Sequence, residues 1–237
     1  MIFVQPETKH TSASTASFRH GTGELSSVSR GRFLIQAKSF LSSLLLTALI
    51  LLLSSSTLDI SAQDLYVIQS GNWNDINTWS ATSGGGTCNC VPGPNDNVHI
   101  NETGAGWTVN MNGAGDARDL TIYNGGTLVW TADAILQINN GGTITVALGG
   151  TLNEAGWAGA RINFVTDGSD YLIDNEGSFS INGLQLLNAG GSLTLTGSSD
   201  ITVVNRLEIL DNDVTLTNNH TGTVSTQGDL RMDGGGI

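Results

Sequence analysis

Lysine disappears from this chain after Lys38, and that absence narrows the function before any motif is read. From Gln63 onward 18 acidic residues face four basic ones, Arg118, Arg161, Arg206 and Arg231, a difference of 14 negative charges. Nucleic-acid binding runs on Lys and Arg contacts to phosphate, so a nucleic-acid partner is excluded. An anionic membrane surface is disfavoured for the same reason, and the acidity reads as solubility outside the cell rather than as a cation store. Proline is nearly missing too: after residue 63 only Pro92 and Pro94 remain. No long window carries apolar residues at i, i+3, i+4 and i+7, so the chain reads as strands and turns throughout.

The longest apolar run, 40–53, falls short of the roughly 18 to 20 residues that cross a bilayer, and it contains Ser42 and Ser43. Arg30, Arg32 and Lys38 precede it, and a small residue, Ala62, follows. That order of basic, apolar and small residues is a secretory signal over 30–62, with cleavage expected after Ala62 and no membrane span thereafter. Residues 1–29 are rich in Ser and Thr with no buried face, and are expected to be disordered or to lie upstream of the true start, since no methionine occurs between Met1 and Met111.

What is abundant is glycine, and it recurs in a phrase. Gly125-Gly126-Thr127-Leu128, Gly141-Gly142-Thr143-Ile144, Gly149-Gly150-Thr151-Leu152, Gly177-Ser178-Phe179, Gly190-Gly191-Ser192-Leu193 and Gly222-Thr223-Val224 each open a short aliphatic/polar alternation. Further alternating stretches lie at 119–123, 134–138, 201–204, 207–210 and 214–216. The Thr/Ser positions fall loosely on multiples of eight. A strand and corner about every eight residues, three to a coil, is the pattern of a right-handed parallel β-helix over 107–237. Glycines, and asparagines such as Asn124, Asn139, Asn140, Asn188 and Asn218, would supply left-handed corners and amide ladders. An antiparallel β-sandwich is the competing architecture, but it carries a wider spread of turn chemistries. The close at Asp233-Gly234-Gly235-Gly236-Ile237 reads as the opening of one more unit, so the chain is expected to continue downstream.

Upstream, 63–106 forms an opening segment. It holds Gly71-Asn72-Trp73, Thr78-Trp79, Val91-Pro92-Gly93 and Asp96-Asn97-Val98-His99-Ile100, followed by Leu120-Thr121-Ile122-Tyr123-Asn124-Gly125-Gly126-Thr127-Leu128. This order resembles the opening of large Bacteroidetes-type secreted surface proteins and is similar to the eight-glycine domain of extracellular proteins, over roughly residues 65–130. The resemblance implies export, commonly by the type IX pathway, and a role in adhesion, matrix formation or glycan contact. It brings no catalytic residue.

Trp73 and Trp79, with Val98 and Ile100, are expected to plug the open end of the first coil; stacking of sugars on the two Trp faces is the sharper alternative. Cys88 and Cys90, the only cysteines, are candidates for a local disulfide in an oxidising compartment and are too few for a zinc site. His99 alternates between Val98 and Ile100 and is expected to face outward. The acidic pairs Asp167/Asp170, Asp174/Glu176 and Asp211/Asp213 suit turns; structural calcium would want such carboxylates, but its repeat signature is missing, and no cofactor is implied. No nucleophile elbow, phosphate loop or dinucleotide fingerprint occurs. The reading is a secreted or cell-surface structural, adhesin-like module with weak glycan or matrix contact, not an enzyme. The alternative is the N-terminal part of a β-helical polysaccharide-active enzyme whose site lies downstream.

Overall fold

The computed structural model describes residues 62–165, 168–187, 191–210 and 214–232, and all of its regular structure is strand. The signal segment and residues 1–29 lie outside the described residues. The chain winds through repeated coils. The first holds β1 (Asp64–Val67) and β2 (Gly71–Asn72), followed by β3 (Trp79–Ser80). The second is β4 (Asn97–Ile100), β5 (Thr108–Met111) and β6 (Gly115–Ala117); the third is β7 (Asp119–Ile122), β8 (Thr127–Trp130) and β9 (Ile135–Asn139). The fourth is β10 (Thr143–Val146), β11 (Thr151–Asn153) and β12 (Arg161–Val165). Then come β13 (Tyr171–Asn175) with β14 (Ser178–Leu187), β15 (Gly191–Gly197) with β16 (Ile201–Ile209), and β17 (Val214–Asn218) with β18 (Val224–Thr226) and β19 (Asp229–Met232).

Equivalent strands stack in parallel into three columns. Sheet order β17-β15-β13-β10-β7-β4-β1 makes the first; the second and third share one sheet, because β14 and β16 each run through both. Leu120 pairs with Ile144 and Ile173 with Leu195, so a coil takes 24 residues in one case and 22 in the other. This is a parallel β-helix of about six turns, which overturns the antiparallel sandwich: among the described pairings only β1 with β3 runs antiparallel.

The reason is in the alternation. Strands such as β7 and β10 bury every second residue and leave the others half open. Parallel register then stacks like on like, giving an inner ladder Leu65, Val98, Leu120, Ile144, Ile173, Leu195 in the first column. A second ladder, Val109, Leu128, Leu152, Phe179, Ile201, fills the next wall. Each such side chain removed from water contributes about 1.5–3 kcal/mol, but only when a neighbouring coil covers it. Burial thins in the last coil, where Leu230 is half exposed.

Corners differ from expectation in one respect. Gly125 and Gly149 do take left-handed φ, but of the named asparagines within the described residues only Asn140 does; Asn124, Asn139 and Asn218 do not, and Asn188 lies outside them. Nor do the amides form ladders of their own kind throughout. Asn139 donates to the Ala117 carbonyl of the preceding coil, and Asn175 to the Ser199 and Asp200 carbonyls of the following one, each stitching a corner to a neighbouring coil's backbone.

Candidate functional site

The N-terminal end is closed from within. Trp73 and Trp79 are fully buried, their rings edge to face at 5.3 Å, and the Trp79 Nε1–H donates to the Trp73 carbonyl at 2.8 Å. Gly115, one coil up, has no side chain because the Trp73 indole occupies that space: a Cβ there would sit 2.6 Å from the indole nitrogen. Gly115 pairs with Leu136, so Trp73 stands on the inner ladder where a preceding coil's residue would be. The plug is therefore what the two tryptophans do. The glycan-stacking role considered for Trp73 and Trp79 is corrected, since neither ring has an open face. Trp73 Nε1–H finds no acceptor, which costs about 1–3 kcal/mol and shows how far ring packing dominates the plug.

Cys88 and Cys90 form a disulfide, with Cα atoms 5.2 Å apart, packed against the buried cluster. The Cys88 N–H donates to the Trp79 carbonyl at 3.0 Å, so the clip holds the loop over the plug. Trp130 is buried, its N–H donating to Ala134, whereas Trp157 keeps 41% of its surface. Of the acidic pairs, Asp170, Asp174 and Glu176 accept from Ser192, Thr196 and Ser198 on the following coil, as turn and edge carboxylates do. Asp167, Asp211 and Asp213 lie outside the described residues, among which no cluster of three or more His, Cys, Asp or Glu could hold a metal.

The outer face of the first column carries an arrangement that single-residue reading missed. Tyr66 and His99 are register neighbours, their rings stacked at 4.7 Å and 15°. Tyr123, just beyond β7, lays its ring 6.1 Å from His99 and brings its hydroxyl to 3.2 Å from Nδ1. The other ring nitrogen lies 3.5 Å from Asp64 Oδ1, which accepts from Asn97 at 2.7 Å; Arg118 in turn donates to Asn97 and Asp119. With neutral imidazole, a Tyr123 hydroxyl donating to Nδ1 fixes the proton on Nε2, toward Asp64. The Asn97 hydrogen bond holds the Asp64 carboxyl below its ordinary range, against the opposing effect of its partial burial. Burial pushes both tyrosines up, aided by the negative charges of Asp64 and Glu102 at Tyr66 and of Glu102 at Tyr123. The result is a row of three half-open rings held in place by a polar chain that crosses three coils. His99 faces outward as its alternation implied; the signal for the row was the coil spacing, which aligns Tyr66 with His99 once the register is known.

Beside this row a hollow of about 370 Å³ is walled by Val67, Ile68, Gly84, Gly85, Thr103 and the half-buried Trp107. Glu102, whose charge reaches both tyrosines, directly precedes Thr103. Comparison with protein-family models, with curated proteins and with solved structures finds no match to this chain.

Proposed function

We propose that the chain is a secreted, cell-surface β-helix module: a stiff, adhesin-like spacer that touches glycan or matrix through the outer face of its first coils. The observation that carries this reading is the stacked Tyr66, His99, Tyr123 row. Because the rings stack on one another, they turn edges rather than faces outward, and with Asp64, Asn97 and Glu102 they form an aromatic rim whose hydroxyl, imidazole, amide and carboxylate groups suit hydrogen bonds to the hydroxyls of successive sugar units. Support for the compartment comes from the basic, apolar and small order of residues 30–62 and from an acidic, lysine-free remainder. The disulfide agrees with an oxidising location. Export by the type IX route belongs to this proposal, through the resemblance at 65–130. The role is non-enzymatic: support and contact, with the nearby Trp107 hollow extending the contact surface.

A glycan array probed with the full chain and with Tyr66→Ala/Tyr123→Ala tests it. The expected result is a defined set of bound glycans that is lost in the double variant while the β-type circular dichroism is kept. An array without signal, or the same glycans held equally by the variant, ends the proposal.

A further inference from the structure

Three of the four arginines of the described chain stand on the third column, Arg161 on the fourth coil, Arg206 on the sixth and Arg231 on the seventh, whereas the aromatic row lies on the first column. Pairing sets Arg161 beside Gly183, Gly183 beside Arg206, and Glu208 beside Arg231. Two strand spacings put the Arg161 and Arg206 backbones roughly 10 Å apart. Gly183 offers nothing to fill the interval, and the register breaks there, between Ile181 and Gly183. A hollow of about 100 Å³ results, with Asn182, Asn205 and Gln185 in its walls.

The two guanidinium groups are not equivalent. Arg206 donates to Glu208 at 2.9 Å, and Glu208, almost wholly buried, also accepts from Gln185 and lies 3.8 Å from Arg231. That carboxylate is fully engaged. Arg161, by contrast, makes no ion pair among the described residues, although acidic residues far outnumber basic ones. An unpaired guanidinium beside a gap, with two side-chain amides 3.5 Å from one another at its edge, lacks one component: a planar anion.

We propose that this hollow is a carboxylate subsite for an acidic saccharide. Arg161 takes the carboxylate of a uronic acid unit through its paired N–H groups, and the Asn182 and Asn205 amides meet the flanking hydroxyls. Trp157, adjacent in sequence to Ala158 in the hollow's wall, keeps 41% of its surface for contact with the next unit. A saccharide fits better than an acidic protein surface, because the gap admits a single carboxylate-sized group whereas a stable protein partner needs on the order of 1,600 Å² of buried surface. The subsite goes beyond the aromatic contact already proposed and uses none of its residues.

Isothermal titration of the full chain decides it, with a short oligogalacturonate, the same oligomer methyl-esterified, and a polyglutamate peptide as probes. The free acid is expected to bind, more weakly at higher salt, and esterification or Arg161→Gln to weaken it about tenfold or more. Gly183→Ser, which fills the gap, is expected to do the same. Both variants should keep the thermal unfolding of the parent, since Arg161 is exposed and the atom nearest a Cβ at 183 is its flexible Cγ. Loss of this titration in Tyr66→Ala/Tyr123→Ala, with Arg161→Gln binding as the parent does, would place the carboxylate at the aromatic row and overturn the subsite. No binding of the free acid at millimolar concentration, equal binding by the ester or by Arg161→Gln, or tighter binding of polyglutamate would overturn the proposal.

Discussion

The first three coils and the last three solve the same geometric problem by different means. In the first, the second and third columns are separate short strands, the corners carry loops, and large aromatics fill the inside: Trp73 and Trp79 close the end, and Trp130 in the third coil is also fully buried. In the later coils β14 and β16 run 10 and 9 residues through both columns, the core is mostly aliphatic, and the turn between walls shrinks to an irregularity at Asn182. Their outer faces differ accordingly, with a row of stacked rings on the early coils and, on the third column from the fourth coil onward, Arg161, Arg206 and Arg231. The difference teaches that the repeat sets only the inside. Once the inner ladder is aliphatic and in register, loops and outer residues are free to specialise coil by coil.

Breaking the plug should have the largest effect. Trp73→Ala opens a cavity against Gly115 and is expected to cost about 3–5 kcal/mol, read as a lower midpoint in denaturant. Trp73→Phe keeps most of the ring and removes the unsatisfied indole N–H, so it should cost far less than the alanine variant. If the two variants unfold alike, the plug is not held by ring packing. Next in size is a contrast of glycines. A Cβ at Gly142 would run into the Arg118 carbonyl, a rigid backbone atom, whereas at Gly183 it meets only the Arg161 side chain. Gly142→Ala is expected to cost about 1–3 kcal/mol, and Gly183→Ala to stay within about 0.5 kcal/mol.

Asn175 sharpens the comparison from the later side. It stands on the inner ladder where Val146 stands one coil before, fully buried, and its amide donates to Ser199 and Asp200 while accepting from Gly177. Asn175→Ala should cost about 1–3 kcal/mol by leaving those backbone groups unpaired, with amide exchange accelerating first at 198–201. This residue also marks the limit of what the sequence made legible. The Gly-Thr-aliphatic phrase located β8, β10, β11 and β14 nearly to the residue, because inner-ladder positions announce themselves by alternation. Asn175 follows the same alternation as Ile173 and could not be told from an outward turn residue. The start of the parallel stack was likewise missed: β1 already pairs with β4, so 63–106 holds both the plug and the first coil, and its irregular spacing hid the register. The plug was legible because Trp in a terminal segment has few other places to go. The Tyr66 row and the Arg161 hollow were not, because each is assembled from residues one coil apart.

The smallest expected effect, and the one most specific to the early coils, is pH dependence. Asp64 has its pKa lowered in the folded chain, so its contribution is present above the ordinary carboxylate value of about 4 and fades as pH falls through the folded value. Tyr66 and Tyr123 have theirs raised, so the unfolded chain ionises first, near pH 10, and binds fewer protons than the folded one. Stability must then decline from about pH 10 upward through the raised folded values. The decline belongs to β1, β4 and β7, so amides there should begin to exchange by local opening before those of β14 and β16. Tyr66→Phe/Tyr123→Phe should flatten the alkaline limb of an unfolding-versus-pH curve and leave the acid limb alone, while Asp64→Asn should flatten the acid limb and, because its charge helps to raise both tyrosines, lessen the alkaline limb only in part. An alkaline limb of unchanged slope in the double phenylalanine variant would mean that the outer row is not electrostatically coupled to folding, and that the early coils differ from the later ones only in shape.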